Sequence, residues 1–163
     1  MNTQKREYVR TAIFGIEDSL VSTTGLIAGL SVGTNNKSVV IIGGVVAIAV
    51  EAISMGAGEY ISDDAIAETK SKKHASGNAL KSGLLMFISY FLAGLIPLLP
   101  IVFFSYPASL YVSLFAALCG LFALGYAKGK ILNTSPWHGA IKVLVVGGLA
   151  TLLGIVVGLI FKI

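Results

Sequence analysis

Residues 11–32 read Thr-Ala-Ile-Phe-Gly-Ile-Glu-Asp-Ser-Leu-Val-Ser-Thr-Thr-Gly-Leu-Ile-Ala-Gly-Leu-Ser-Val, and whether this stretch crosses a membrane decides the fold. Four other runs, 38–61, 83–104, 108–127 and 139–161, are plainly apolar, and each is close to the roughly 20 residues that span a hydrocarbon core. In 11–32 the acids Glu17 and Asp18 and the Ser22-Thr23-Thr24 cluster lower the hydropathy. Charge asymmetry settles the question. If 11–32 spans, one side of the membrane receives Lys5, Arg6 and Arg10, then Lys70, Lys72, Lys73 and Lys81, then Lys128, Lys130 and Lys142, and only Lys37 and Lys162 fall on the other. If it does not span, Lys37 joins Lys5, Arg6 and Arg10 and the bias disappears. The positive-inside rule therefore favours five transmembrane helices, with the N-terminus cytoplasmic and the C-terminus outside. A cleavable signal peptide is the rival reading of the N-terminus, and two adjacent carboxylates in its apolar region argue against it.

The composition agrees. The chain has 163 residues, is 55% hydrophobic and only 12% charged, and its mean hydropathy is +0.86, which excludes an ordinary soluble domain. An all-α membrane protein forming a single transmembrane domain over 1–163 is expected. The net charge of +4 sits at the ends of apolar runs, so topology explains it better than nucleic-acid binding. Cys119 stands alone, which rules out an intrachain disulfide, and its apolar surroundings suggest a small buried hydrophobe. Asn133-Thr134-Ser135-Pro136 signals a turn and Trp137 an interfacial anchor, while Pro97 and Pro100 suggest a kink or exit in the third helix. Residues 62–82 read as a charged cytoplasmic loop.

An ionisable side chain at membrane depth costs roughly 2.5–3.5 kcal/mol on insertion scales and normally faces a partner, a cavity or a substrate path. At a rise of 1.5 Å per residue, Asp18 lies about 10 Å from the cytoplasmic start of the first helix. Glu59, Met55 and Glu51 lie about 3, 9 and 15 Å from the cytoplasmic end of the second. Their i, i+4, i+8 spacing forms a ladder along one stripe, and Asp18 matches its middle rung in depth. Gly25, Gly29 and Gly33 would let the first two helices approach closely. Asp18, Glu51, Met55 and Glu59 are the expected metal ligands, and a mixed oxygen and thioether set suits ferrous iron or manganese better than magnesium or calcium. Singly, Met55 reads as core packing and Glu59 as a carboxylate reaching the interface, a reading that extends to Glu17. Binding a cation to buried acids expels protons, so exchange of metal for protons follows.

At these residues the chain resembles a known family. Phe14-Gly15-Ile16-Glu17-Asp18-Ser19-Leu20-Val21-Ser22-Thr23 followed by Ile27-Ala28-Gly29, together with Ser54-Met55-Gly56-Ala57-Gly58-Glu59-Tyr60-Ile61-Ser62, is similar to the two motifs of the vacuolar iron transporter family. The resemblance implies a homodimer that exports ferrous iron, and often manganese, from the cytoplasm against protons, along a path lined by Asp18, Met55 and Glu59. Two departures stand out. Better-known members carry a long glutamate-rich extension between the second and third helices, where this chain has only 62–82; Asp63, Asp64, Glu68 and His74 there read as a solvated loop ahead of weak metal contacts. Ser19 replaces a usual glycine, and Glu51 rests on the depth argument alone.

The expected partners are a divalent metal ion, protons, the lipid bilayer and a second copy of the chain, since an odd helix number without an inverted repeat favours a parallel homodimer. No cofactor is expected beyond the transported ion, and the cell membrane is the expected location, with a vacuole-type membrane as the alternative. A non-transporting membrane scaffold, whose acids pair with a partner's basic residues, is the rival function. An intramembrane enzyme is disfavoured, because His74 and His138 lie near helix ends and no Ser-His or Cys-His set lies at membrane depth.

Overall fold

The computed structural model describes residues 3–69 and 76–163. It consists of five helices, α1 (Thr3–Thr34), α2 (Lys37–Thr69), α3 (Ser76–Phe103), α4 (Ala108–Ile131) and α5 (Pro136–Ile160). All five are long and apolar enough to cross a membrane, α1 being the least apolar. The chain is thus an all-helical multi-pass membrane protein.

The helices outrun the apolar segments that announce them. Hydrophobicity marks the thickness of the bilayer, whereas a helix continues until its hydrogen-bond ladder is interrupted. The expected loop over 62–82 is accordingly corrected: α2 continues to Thr69 and α3 begins at Ser76. Ser62 to Thr69 contain neither glycine nor proline, and charge expels them from lipid without breaking a helix. Lys70, Lys72, Lys73 and His74 lie outside the described residues.

The short connections follow their sequence signals. Asn35 adopts a left-handed φ of 48°, and the Asn36 side-chain oxygen accepts hydrogen bonds from the Ser38 and Val39 amides at 3.0 and 3.4 Å, which caps α2. Asn133 takes φ 54° in the α4–α5 turn, and Pro136 opens α5. Pro97 and Pro100 are both accommodated inside α3. There the Ser113 hydroxyl donates to the Pro97 carbonyl at 2.6 Å, and the Lys37 ammonium donates to the Val102 and Phe104 carbonyls at 3.0 Å, at the negative end of the helix.

α1 is the axis of the bundle and touches all four other helices, while α2 packs on α3, α3 on α4 and α4 on α5. Among the described residues α2 and α5 do not touch, so one face of α1 stays open between them. Polarity is inverted relative to a soluble protein: Thr11, Ser19, Thr23, Thr24 and Ser31 of α1 are buried, and large aliphatic side chains cover the outside. Cys119 belongs to that outer surface, which corrects the expectation of burial. In lipid, an apolar side chain gains nothing by facing inward.

The glycine stripe of α1 is also corrected. A Cβ added at Gly25, Gly29 or Gly33 would lie 3.1, 2.8 and 3.2 Å from the carbonyls of Ala150, Gly154 and Gly158 respectively. The stripe therefore meets α5, whose small residues repeat with the same four-residue spacing, rather than α2. α2 finds its own close neighbour in α3, where Gly56 and Gly83 face one another.

Candidate functional site

Glu51 sits where α1, α2 and α3 converge. Its Oε2 accepts a hydrogen bond from the Ser22 hydroxyl of α1 at 3.2 Å and another from the Tyr90 hydroxyl of α3. The two hydroxyls are themselves 2.7 Å apart. Tyr90 is fully buried, and Ser19 of α1 fixes its backbone by donating to the Tyr90 carbonyl at 2.6 Å. Among the described residues neither hydroxyl bonds the second carboxylate oxygen, Oε1, and no cation lies within ion-pair distance of Glu51. Ser22 and Glu51 line a groove of about 560 Å³ whose other walls are largely the apolar and small residues of α1 and α5.

Asp18, one turn of α1 before Ser22, is half-buried and has no hydrogen-bond or ion-pair partner among the described residues. Glu51 and Glu17 are the negative charges close enough to act on it. Glu17 turns away and meets Lys128 of α4 at 3.4 Å, which gives it a partner that sequence reading did not supply. Asp18, one turn from the Ser22 that bonds Glu51, and Glu51 itself are thus two neighbouring acids with no ion-pair partner among the described residues.

Glu59 lies two turns closer to the C-terminal end of α2. The Thr11 hydroxyl donates to its Oε1 at 2.6 Å, and the Arg10 guanidinium stands 3.7 Å away. Arg10 is 74% exposed and Glu59 only 16%, so the arginine covers the carboxylate from the aqueous side. Glu59 also borders a cavity of about 300 Å³ shared with Arg10, Thr11, Phe14 and Met86. Met55 is half-buried and lines neither this cavity nor the groove at Glu51. The methionine that shares a cavity with Glu59 is Met86, which is buried.

The ladder anticipated from spacing is therefore distributed over two places, Asp18 with Glu51 inside the bundle and Glu59 with Arg10 and Thr11 near its end. Among the described residues no three acidic, histidine or cysteine side chains converge on one point. Thr11, Met86 and Tyr90 were not singled out from the sequence. Tyr90 carried a usable signal, as a hydroxyl in the middle of an apolar run; Thr11 and Met86 carried none.

A family model described as the VIT family matches residues 9–76 and 64–159. The chain is 27% identical to Vacuolar iron transporter 1 of Arabidopsis thaliana over 89% of its length and 82% of the relative's. It is 25% identical to Vacuolar iron transporter 1 of Eucalyptus grandis, over 89% and 83% respectively. These alignments span 210 and 206 positions, more than the 163 residues of the chain, so both relatives contain residues with no counterpart here. The alignment with Vacuolar iron transporter homolog 4 of Arabidopsis thaliana covers 158 positions at 26% identity, 90% of this chain and 79% of that one.

Proposed function

The chain belongs to the VIT family, and from that premise we propose that it is a metal transporter that exports ferrous iron or manganese from the cytoplasm in exchange for protons. The observation that carries the reading is the placement of Asp18 and Glu51, two acids inside an apolar bundle, Glu51 held only by neutral hydroxyls and Asp18 by no hydrogen bond, with no cation paired to either among the described residues. Such a pair is costly unless protons or a mobile cation neutralise it. A divalent ion supplies the missing charge, and the unpartnered Oε1 of Glu51 offers it a lone pair.

Asp18, Glu51, Met55 and Glu59 are the ligands assigned to the path. Glu59 receives the ion at the cytoplasmic end, where it must first exchange the Arg10 guanidinium for metal. Asp18 and Glu51 hold the ion deeper, with Met55 between the two stations on the same stripe of α2. Metal and protons compete for the same oxygens, so arrival of one releases the other. The open face of α1 between α2 and α5 leaves the Glu51 groove incomplete in a single chain, and a parallel homodimer closes it. The cell membrane is the assigned location, although the named relatives are vacuolar, and fractionation of cells expressing a tagged chain tests it.

Proteoliposome flux tests the whole reading. Purified protein alone is expected to move ferrous iron or manganese, and Asp18→Ala and Met55→Ala are each expected to reduce initial rates at least about tenfold, equivalent to about 1.4 kcal/mol. Absence of flux for every divalent ion would exclude transport, and unaltered rates in both variants would place the path elsewhere.

A further inference from the structure

A third cavity, of about 540 Å³, opens at the turn between α4 and α5, lined by residues of the first half of α5 where the Glu51 groove is lined by residues of the second. Lys128, His138 and Lys142 line it, with Thr134 beside them and Val143 and Val146 forming an apolar wall. Its volume falls within the roughly 300–1,000 Å³ of small-molecule sites. Glu17 balances Lys128 at 3.4 Å, while Lys142 has no ion-pair partner among the described residues, so the cavity retains a positive charge. Ser135, which precedes α5, makes no side-chain hydrogen bond to cap the first amides of that helix, so its dipole adds to this charge.

The depth of the cavity indicates where its ligand comes from. Trp137 is 63% exposed and packs edge-on against Phe122 and Tyr126, with ring centroids 5.8 and 5.9 Å away. Amphipathic aromatic rings gather at the level of lipid headgroups. Lysines, a hydroxyl and a helix end therefore lie at headgroup depth, and a valine wall continues from them along α5 into the apolar layer. Free phosphate would use only the first half of this arrangement.

We propose that the cavity at the α4–α5 turn, lined by Lys128, His138 and Lys142, is a headgroup site for an anionic phospholipid. The lipid phosphate occupies the basic end, and an acyl chain lies along Val143 and Val146. Basic pockets between transmembrane helices recognise such headgroups, each nearby lysine contributing about 1 kcal/mol, or about fivefold in affinity.

The test uses the full-length protein in mixed micelles of dioleoylphosphatidylglycerol and dioleoylphosphatidylcholine, with retained lipid read by native mass spectrometry. The unaltered chain is expected to retain phosphatidylglycerol preferentially. Lys142→Gln is expected to lower that preference about fivefold, and Lys142→Arg to keep it. Lys130→Gln is the control, because Lys130 sits over the Tyr126 ring at 5.1 Å and does not line the cavity; it should keep the preference too. Equal retention of both lipids by the unaltered chain overturns the proposal whether or not any variant folds. So does an equal loss in Lys130→Gln, which would indicate general surface charge, and so does displacement of the lipid by inorganic phosphate at constant ionic strength.

Discussion

Glu51 receives both of its hydrogen bonds on one oxygen, and both come from hydroxyls on other helices. Removing the Tyr90 hydroxyl should therefore perturb the carboxylate without unfolding the bundle. Side-chain hydrogen bonds inside membrane proteins are worth about 0.6 kcal/mol on average and at most about 1.7. Tyr90→Phe is accordingly expected to leave the melting temperature in detergent nearly unchanged and to lower metal flux severalfold by releasing Glu51 from its fixed position; flux equal to that of the unaltered chain would show that the hydroxyl only fills space. Arg10 stands 3.7 Å from Glu59, and under the proposed function it competes with metal for that carboxylate. Arg10→Gln removes that competitor and should lower the metal concentration needed for half-maximal flux, whereas an unchanged value would mean that Glu59 does not meet the ion. The acids themselves were legible in the sequence, because an acid at membrane depth must have a reason to be there. Their partners were not, since Thr11 and Tyr90 lie 48 and 39 residues from the carboxylates they bond.

At the scale of the helices, close approach is decided by which small residues find one another. Gly29 of α1 faces Gly154 of α5, and an added Cβ would stand 2.8 Å from the Gly154 carbonyl. Backbone cannot yield to it as a flexible side chain would, so Gly29→Ala is expected to push α1 and α5 apart and lower the melting temperature. Gly58 of α2 is the matched control, with nothing within 4 Å of an added Cβ. There the higher helix propensity of alanine, about 1 kcal/mol, should leave stability unchanged or raised. Equal behaviour of the two variants would show that the α1–α5 contact does not limit stability. Four-residue glycine spacing was visible in the sequence, but a stripe of small residues does not say which helix it admits. The match was settled by α5, whose Ala150, Gly154 and Gly158 supply the complementary surface.

At the scale of the molecule, α1 is surrounded on every side but one. The uncovered side carries the Glu51 groove, and under the proposed function a second chain placed there completes the metal path. Light scattering in detergent should then give a protein mass near twice the 17.0 kDa of the chain; the mass of a single chain would return the path to the monomer. Exchange against protons also fixes a sign. In the proposed exchange protons travel opposite to metal, so acidifying the compartment that receives the metal should speed its arrival, and acidifying the compartment that supplies it should slow it. Insensitivity to the gradient would remove protons from the cycle while leaving metal transport in place.

Five membrane-spanning helices, and the identity of the acids at depth, are legible in the amino-acid sequence alone. Both follow from local quantities: the length of an apolar run, the distribution of lysine and arginine, and a fixed rise per residue. It took the packing of the helices to show that the glycines of α1 receive α5, that Tyr90 holds Glu51, and that Glu17 is paired with Lys128. In lipid the hydrophobic effect does not select which helix faces which, so these pairings depend on side-chain shape and hydrogen bonding between segments far apart in the chain.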